Sequence, residues 1–223
     1  MRATRGAPPE AQRAARGQRL TSETARPRLQ IARVRVSGTA PSNCYVVACA
    51  RSKEAVVIDP GADADKIVAQ CQGLTVRHLL CSHGHRNHAS AKDEVKAQVG
   101  GATALSLLDA KGYLRSADRY LSDADRLQFG DFEVEVIATP GHSPGSLCFK
   151  VANHLFTGDT LLAGNLGRTD LPDVDLSRQV VSVLSRLLTL PENTVVYPGH
   201  GPTTTVGQER RENVAVQMLR QVG

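Results

Sequence analysis

The sequence contains no tryptophan, and only 4% of its residues are aromatic. Aromatic side chains form the surfaces on which nucleic-acid bases stack, so this scarcity argues against a nucleic-acid binder. No apolar stretch approaches the length of a transmembrane helix, which argues against a membrane partner. The five cysteines form no CxxC pair and are odd in number, which favours scattered reduced thiols over a disulfide framework.

The excess positive charge of the chain is confined to its first 28 residues. The whole sequence has a formal net charge of +5. Residues 1–28 hold seven arginines against Glu10 and Glu23, which accounts for all of that charge. The remaining residues are neutral overall, with 20 basic and 20 acidic side chains, so they do not predict a polyanion-binding surface.

The first 28 residues have few large apolar side chains, so we expect a disordered Arg-rich leader followed by one domain at 29–223. The leader lacks the apolar central segment of a secretory signal. We therefore expect a cytoplasmic protein. The alternative is an organelle, either a mitochondrion or a plastid, if the leader is a transit peptide.

Strand-like and helix-like patterns follow one another from residue 29 onwards. Strands are predicted for LQIARVRV, NCYVVACA, EAVVI, TVRHLLCS and TVVYP, and hairpins around residues 130–131 and 153. Helices are predicted at 62–73, 88–100, 175–190 and 208–222, with Asp175 as the N-cap of the third. Both halves are rich in strands and contain helices able to cover a sheet, which predicts an αβ/βα sandwich.

Five histidines and one aspartate lie in loops directly after predicted strands, several of them beside glycine. They are His83, His85, His88, His142, Asp159 and His200. Imidazole nitrogens and carboxylate oxygens are ligands for zinc and iron, and two neighbouring ions can share one carboxylate. These six residues are therefore candidate metal ligands. His78 and His154 lie within strand-like segments and are interpreted as structural.

In order, SHGHRNH, TPGHSPGS, FTGDTLLAGNLGRTDLP and YPGHGP resemble the successive motifs of the metallo-β-lactamase superfamily. The resemblance is closest to its glyoxalase II-like branch, the hydroxyacylglutathione hydrolases, and covers residues 30–213. It implies an α/β fold, an αββα four-layer sandwich in which two mixed β-sheets are flanked by helices. The segment IDPGADADK resembles the first motif of that branch. In that motif, Asp59 would support the metal loop without binding the ion.

The resemblance also assigns the ligands to two metal positions. The first position would be held by His83, His85 and His142, the second by His88 and His200, and Asp159 would bridge the two. The family pattern has aspartate where this chain has Asn87. A neutral amide is a weaker ligand and removes one negative charge. We therefore expect one tightly bound zinc or iron ion and a second site that is weak or empty.

The activity implied is that of a metal-dependent hydrolase, a thioesterase of the hydroxyacylglutathione hydrolase type that uses metal-bound hydroxide. Asn87 and Asp159 are the candidate catalytic residues. Hydrolysis should be slower than in a relative with aspartate at this position, because Asn87 cannot accept a proton. The expected substrate is a small-molecule thioester or a glutathione derivative. Arg168 and Arg86 are candidates to bind its anionic groups, with an Arg168–Asp170 ion pair as the structural alternative.

Two other functions are compatible with the same residues. A persulfide (sulfur) dioxygenase resembles glyoxalase II but holds one iron with two histidines and one aspartate. That triad would be His83, His142 and Asp159, and Asn87 would not disturb it. The third possibility is a metal-binding domain that has lost catalysis. The pattern makes no prediction of the oligomeric state or the acyl group.

Overall fold

The computed structural model describes residues 27–38 and 40–222. The predicted leader therefore lies almost entirely outside the described residues. The strands are β1 (Leu29–Val36), β2 (Ser42–Cys49), β3 (Glu54–Ile58), β4 (Thr75–Leu80), β5 (Ala102–Ser106), β6 (Arg119–Leu121), β7 (Arg126–Phe129), β8 (Phe132–Ala138), β9 (Leu147–Val151), β10 (His154–Gly158), β11 (Val195–Pro198) and β12 (Thr204–Thr205). The helices are α1 (Ala64–Gln70), α2 (Arg86–Ala89), α3 (Lys92–Val99), α4 (Leu107–Gly112), α5 (Leu176–Ser182), α6 (Val206–Glu212) and α7 (Val214–Val222).

The strands form two mixed sheets of six strands each. The first has the order β1-β2-β3-β4-β5-β6, antiparallel from β1 to β3 and parallel from β3 to β6. The second has the order β12-β11-β10-β9-β8-β7, in which β10 and β11 are parallel and the other pairs are antiparallel. The chain passes from the first sheet to the second once, between β6 and β7.

Apolar side chains on the inner faces of the two sheets form the central core. Tyr45, Ile58 and Leu80 of the first sheet pack with Phe149 and Phe156 of the second, and all five are buried. The rings of Tyr45 and Phe156 meet edge to face at 5.3 Å. Burying a side chain of this size contributes about 1.5–3 kcal/mol.

Helices cover the outer face of each sheet. In the first layer, Ile67 of α1 and Val95 of α3 pack with Leu79 of β4. In the fourth layer, which covers the second sheet, Val183 after α5 and Val206 of α6 pack with that sheet. The predicted αββα sandwich with two mixed sheets is therefore confirmed.

Two predicted helices are each divided in the structure. The helix expected at 88–100 is α2 and α3, separated where the Ala91 amide donates to the Pro60 carbonyl at 3.0 Å. The helix expected at 208–222 is α6 and α7, separated at Asn213. Asn213 has an extended backbone, and its side chain donates to Glu209 Oε2 at 2.7 Å and to the Asn165 carbonyl at 3.0 Å.

The helix predicted at 175–190 begins as expected and ends early. The Asp175 side chain accepts a hydrogen bond from the Arg178 amide at 3.0 Å, which confirms the N-cap. α5 continues as a π-helical turn over Val183–Leu187 and ends there. The sequence prediction also assigned no element to residues 102–121, which form β5, α4 and β6.

All five cysteines are buried free thiols, as the sequence predicts. Across residues 27–38 and 40–222, we find no helix with both the length and the apolar content needed to span a bilayer.

Candidate metal centre

The six candidate ligands meet at one rim of the sandwich, where strands of both sheets end. His83 and His85 follow β4, His142 follows β8, Asp159 directly follows β10, and His200 follows β11. His88 was counted among the loop histidines and also begins the helix predicted at 88–100; it lies in α2, with His85 as the N-cap residue. Loops at the strand ends of a rigid sandwich thus bring together residues more than 100 positions apart.

His83, His85 and His142 form one group whose ligand atoms lie within 4.8 Å of one another. His85 Nδ1 is 3.1 Å from His142 Nε2. His83 Nε2 is buried and has no hydrogen-bond partner among the described residues. Three imidazole nitrogens that face one point match the protein ligands of a metal ion that keeps a position open for substrate.

Asp159 lies between this group and the remaining histidines. Its Oδ2 is 3.3 Å from His200 Nε2 and 3.6 Å from His142 Nε2, and its Oδ1 is 3.4 Å from His88 Nε2. Asp159, His88 and His83 form a second group with ligand-like spacing. A carboxylate in contact with imidazoles on both sides is suited to bridge two ions.

Two unpaired atoms indicate that these residues fit a cation. His83 Nε2 and Asp159 Oδ1 are both buried without a hydrogen-bond partner in the described part of the chain. Leaving His83 Nε2 unpaired costs about 1–3 kcal/mol. Asp159 Oδ1 has only the ionic contact with His88 Nε2 at 3.4 Å, and a metal ion would satisfy both atoms. Burial holds the pKa of His83 well below its ordinary value and lowers the pKa of His142 to about 4. Both rings are therefore neutral, as metal ligands must be.

The His88 ring, in contrast to those of His83 and His142, is protonated at neutral pH. Burial lowers its pKa, but the carboxylates of Asp159 and Asp59 outweigh this effect and raise it to about 10. Asp59 Oδ2 is 3.0 Å from His88 Nδ1, and Asp59 also accepts from the amide and the hydroxyl of Ser82, at 2.6 and 2.7 Å. The Ser82 hydroxyl is in turn 3.0 Å from His83 Nδ1. Asp59 thus contacts the outer nitrogen of His88 directly and that of His83 through the Ser82 hydroxyl, which is compatible with the supporting role that the resemblance implies.

Asn87 lies beside the His88 and His200 side of the site. Its Nδ2 is 3.1 Å from His200 Nε2, which is 3.3 Å from His88 Nε2. A half-turn of the amide would present Oδ1, a neutral metal ligand, at the same place. Asn87 therefore lies against His200, one of the two histidines that the resemblance assigns to the second metal position.

Two further side chains contact His85, and sequence reasoning missed both. Tyr113 Oη is 3.1 Å and Asp173 Oδ2 is 3.3 Å from His85 Nε2, the nitrogen that points away from the other histidines. Asp173 lies only a few positions after GRTD, so its proximity to a known motif was an available signal. Tyr113 lies in the unassigned segment and carried no such signal.

Gly199 precedes the candidate ligand His200, and the space at Gly199 has no room for a side chain. A Cβ at this position would lie 2.6 Å from His88 Cε1 and would also collide with Asp159 Oδ1. Only glycine allows this loop to approach the two ligands so closely.

A cavity of about 460 Å³ opens onto the ligands. Its wall includes the predicted substrate-binding residues Arg86 and Arg168, together with Leu162 and Leu171. Both arginines are exposed, and Arg168 makes two hydrogen bonds to Asp170, at 2.9 and 2.8 Å. The ion pair expected as the structural alternative is therefore present.

Comparison with known proteins places the chain in a family. A sequence profile of the metallo-beta-lactamase superfamily matches residues 37–200. The hydroxyacylglutathione hydrolase GloC of Haemophilus influenzae is 33% identical over 186 residues, which cover 72% of this chain and 86% of GloC. The mitochondrial persulfide dioxygenase ETHE1 of Bos taurus is 33% identical over 186 residues, which cover 78% of this chain and 72% of ETHE1. The crystal structure of TTHA1623 in a di-iron-bound form has a TM-score of 0.69 and 34% identity, and the match covers 82% of this chain and 98% of that one. The chain belongs to the metallo-β-lactamase superfamily.

Proposed function

We propose that this protein is a metal-dependent thioester hydrolase of the hydroxyacylglutathione hydrolase type. One observation carries the proposal: His83 Nε2 and Asp159 Oδ1, both buried and unpaired within the described residues, lie among five converging histidines beside an open cavity. The similarity to GloC supports the choice of substrate class. Zinc or iron bound here would lower the pKa of a coordinated water to about 7 and polarise a carbonyl.

The remaining roles follow from the side chains around the cavity. His83, His85 and His142 hold the first ion, and Asp159 contacts both sides of the site. Arg86 and Arg168 attract the carboxylates of a glutathione-derived thioester, since exposed guanidinium groups bind carboxylates. Arg168 does so through Nη1, because its Nε and Nη2 donate to Asp170.

We also propose that one ion binds tightly and that a second is weakly bound or absent. Asn87 supports this proposal, because its neutral amide lies 3.1 Å from His200 where a carboxylate would compensate a dication. Asn87 also cannot take up a proton during thioester cleavage. The proton must therefore leave through solvent or another group, which makes turnover slow.

The alternative function is a persulfide dioxygenase that uses one iron. The similarity to ETHE1 favours it, as does the 3.6 Å distance between His142 Nε2 and Asp159 Oδ2, two members of the expected triad. Asn87 lies outside that triad. In both cases we propose a cytoplasmic protein acting on a small molecule, with neither nucleic acid nor membrane as a partner.

Two assays on protein loaded separately with zinc and with iron distinguish these functions. Hydrolysis of S-D-lactoylglutathione is expected. His142→Ala should abolish it, because His142 is a metal ligand in both the hydrolase and the dioxygenase assignment. His154→Ala is the matched control, since His154 lies in β10 and contacts Tyr197 instead of the site. Oxygen uptake with glutathione persulfide, without thioester cleavage, would establish the dioxygenase. Bound metal without turnover of thioesters, lactones or persulfides would show that catalysis has been lost.

A further inference from the structure

Asp109 in α4 contacts both loops that carry the first group of ligands, although it is not a ligand itself. Its carboxylate is completely buried. Oδ2 accepts hydrogen bonds from the Gly84 amide and the Ser143 hydroxyl, both at 2.7 Å, and Oδ1 accepts one from the Gly145 amide at 2.7 Å. Both oxygens are thus used, and all three donors belong to the two ligand loops.

The positions of these donors determine what the carboxylate does. Gly84 lies between His83 and His85, and Ser143 directly follows His142. One side chain therefore fixes the distance between the loop after β4 and the loop after β8. These are the two loops that must meet for the three imidazoles to share an ion.

Gly84 is held from three directions by the segment that contains Asp109. Its amide donates to Asp109, its carbonyl accepts from Arg115 Nε at 2.7 Å, and its α-carbon faces the ring of Tyr113. A Cβ at Gly84 would collide with that ring. The same tyrosine reaches His85, with 5.0 Å between the ring centroids. The peptide between the two ligands thus has little freedom to move.

We propose that Asp109 is a positioning residue that sets His83, His85 and His142 at the geometry required by the first metal ion. The inference rests on the proposed metal-binding function of these histidines. A carboxylate is needed because the amides of Gly84 and Gly145 donate to different oxygens. An asparagine would direct an NH₂ group at one of these two N–H groups, and that loop would shift.

The test compares wild type, Asp109→Asn and Asp118→Asn, with Co²⁺ alone as the probe. Asp118 is a matched control, because it also accepts from an amide and a hydroxyl, those of Thr103 at 2.7 and 2.8 Å, at the far end of β5 from the site. We expect Asp109→Asn to weaken Co²⁺ binding by about 10–100-fold and to change the visible absorption spectrum of the bound ion. Asp118→Asn should change neither, although both variants lose thermal stability.

Unchanged affinity and spectrum in folded Asp109→Asn would overturn the proposal. If that variant does not fold, Ser143→Ala provides the answer, since it removes one donor and keeps the carboxylate. It should weaken Co²⁺ binding by about 3–10-fold, and wild-type behaviour would overturn the proposal equally. Failure of the wild-type protein to bind Co²⁺ would instead refute the proposed function, and this inference with it.

Discussion

Replacing Asn87 by aspartate should convert the weak second metal position into a tight one. The Asn87 amide nitrogen lies 3.1 Å from His200 Nε2, and that nitrogen lies 3.3 Å from both His88 Nε2 and Asp159 Oδ2. A carboxylate at residue 87 would therefore join a set of ligands that is already assembled. The substitution is nearly isosteric, so the added charge is its main effect.

The size of the effect follows from the distances. Two unit charges about 4 Å apart interact by about 4 kcal/mol at an effective dielectric constant of about 20, and a dication doubles this. If desolvation offsets about two-thirds of that energy, about 2.7 kcal/mol remains, which corresponds to about 100-fold in the dissociation constant. In metal-free protein the new carboxylate and that of Asp159 would both lie against His200 Nε2, with no dication to compensate their charges. The free energy of unfolding should then fall by about 1–3 kcal/mol.

Elemental analysis after dialysis and calorimetric titration with Zn²⁺ measure the first effect, and urea denaturation of metal-free protein measures the second. Asn153→Asp is the control, because it adds the same charge at the exposed turn between β9 and β10, at the opposite end of β10 from Asp159. If Asn87→Asp binds its second equivalent no more tightly than wild type, the role assigned to Asn87 is wrong. Two tightly bound equivalents in wild-type protein would refute it as well.

Three further predictions concern His88, Arg168 and Asp175. The folded-state pKa of His88 is about 10, above its unfolded value of 6.5, so its contribution to the stability of metal-free protein is complete below pH 6.5 and is lost as the pH rises through 10. Urea denaturation should show this decline. Protein in enough excess zinc to fill the weak second position should lack it, because an imidazole bound to the ion is neutral. Arg168→Ala should raise the KM for an anionic thioester about 10-fold with little change in kcat, as measured by steady-state kinetics. Asp175→Ala should lower the free energy of unfolding by about 1 kcal/mol, because the N-cap bond of α5 is lost.

Each of these predictions has its own control. The pH-dependent decline should disappear in His88→Gln, and a decline of equal size there would assign it to another group. Asp170→Ala leaves Arg168 in place and should not raise KM, so an equal rise in both variants would show that the ion pair matters only for the loop. Ser177→Ala alters an exposed residue of α5 without a capping role, and its stability should match wild type. A loss as large as that of Asp175→Ala would contradict the assignment of the cap.

The sequence predicts the sandwich and the ligands because the relevant signals are local. Each ligand loop follows a strand in which apolar and polar residues alternate or apolar residues form a continuous run. Glycines such as Gly199 mark the turns. The carboxyl ends of parallel strands lie at one rim of a sheet, and β10 is parallel to β11, so Asp159 and His200 meet there. The resemblance implies this meeting, whereas the order of the loops alone does not. The distances between atoms follow only from the packing of the sheets.

The segment from β5 to β6 could not be predicted in the same way. ATALSLLDAKG contains a short apolar run that fits either a strand or a helix, and here the strand changes directly into α4. Asp109 resembles any polar residue of a short helix, and its partners at Gly84 and Gly145 are 25 and 36 positions away. Asn213 likewise breaks a favourable helical pattern through contacts with residues far along the chain, which no local pattern reveals.

The candidate ligands are divided evenly between the two sheets. His83, His85 and His88 precede the single crossing between β6 and β7, and the other three follow it. An ion held by both sets would therefore act as a cross-link between two halves that otherwise adhere through their shared core. It would be retained only when the halves have associated in the correct register. A chain cut between β6 and β7 should thus regain activity only when both fragments and the metal are supplied together.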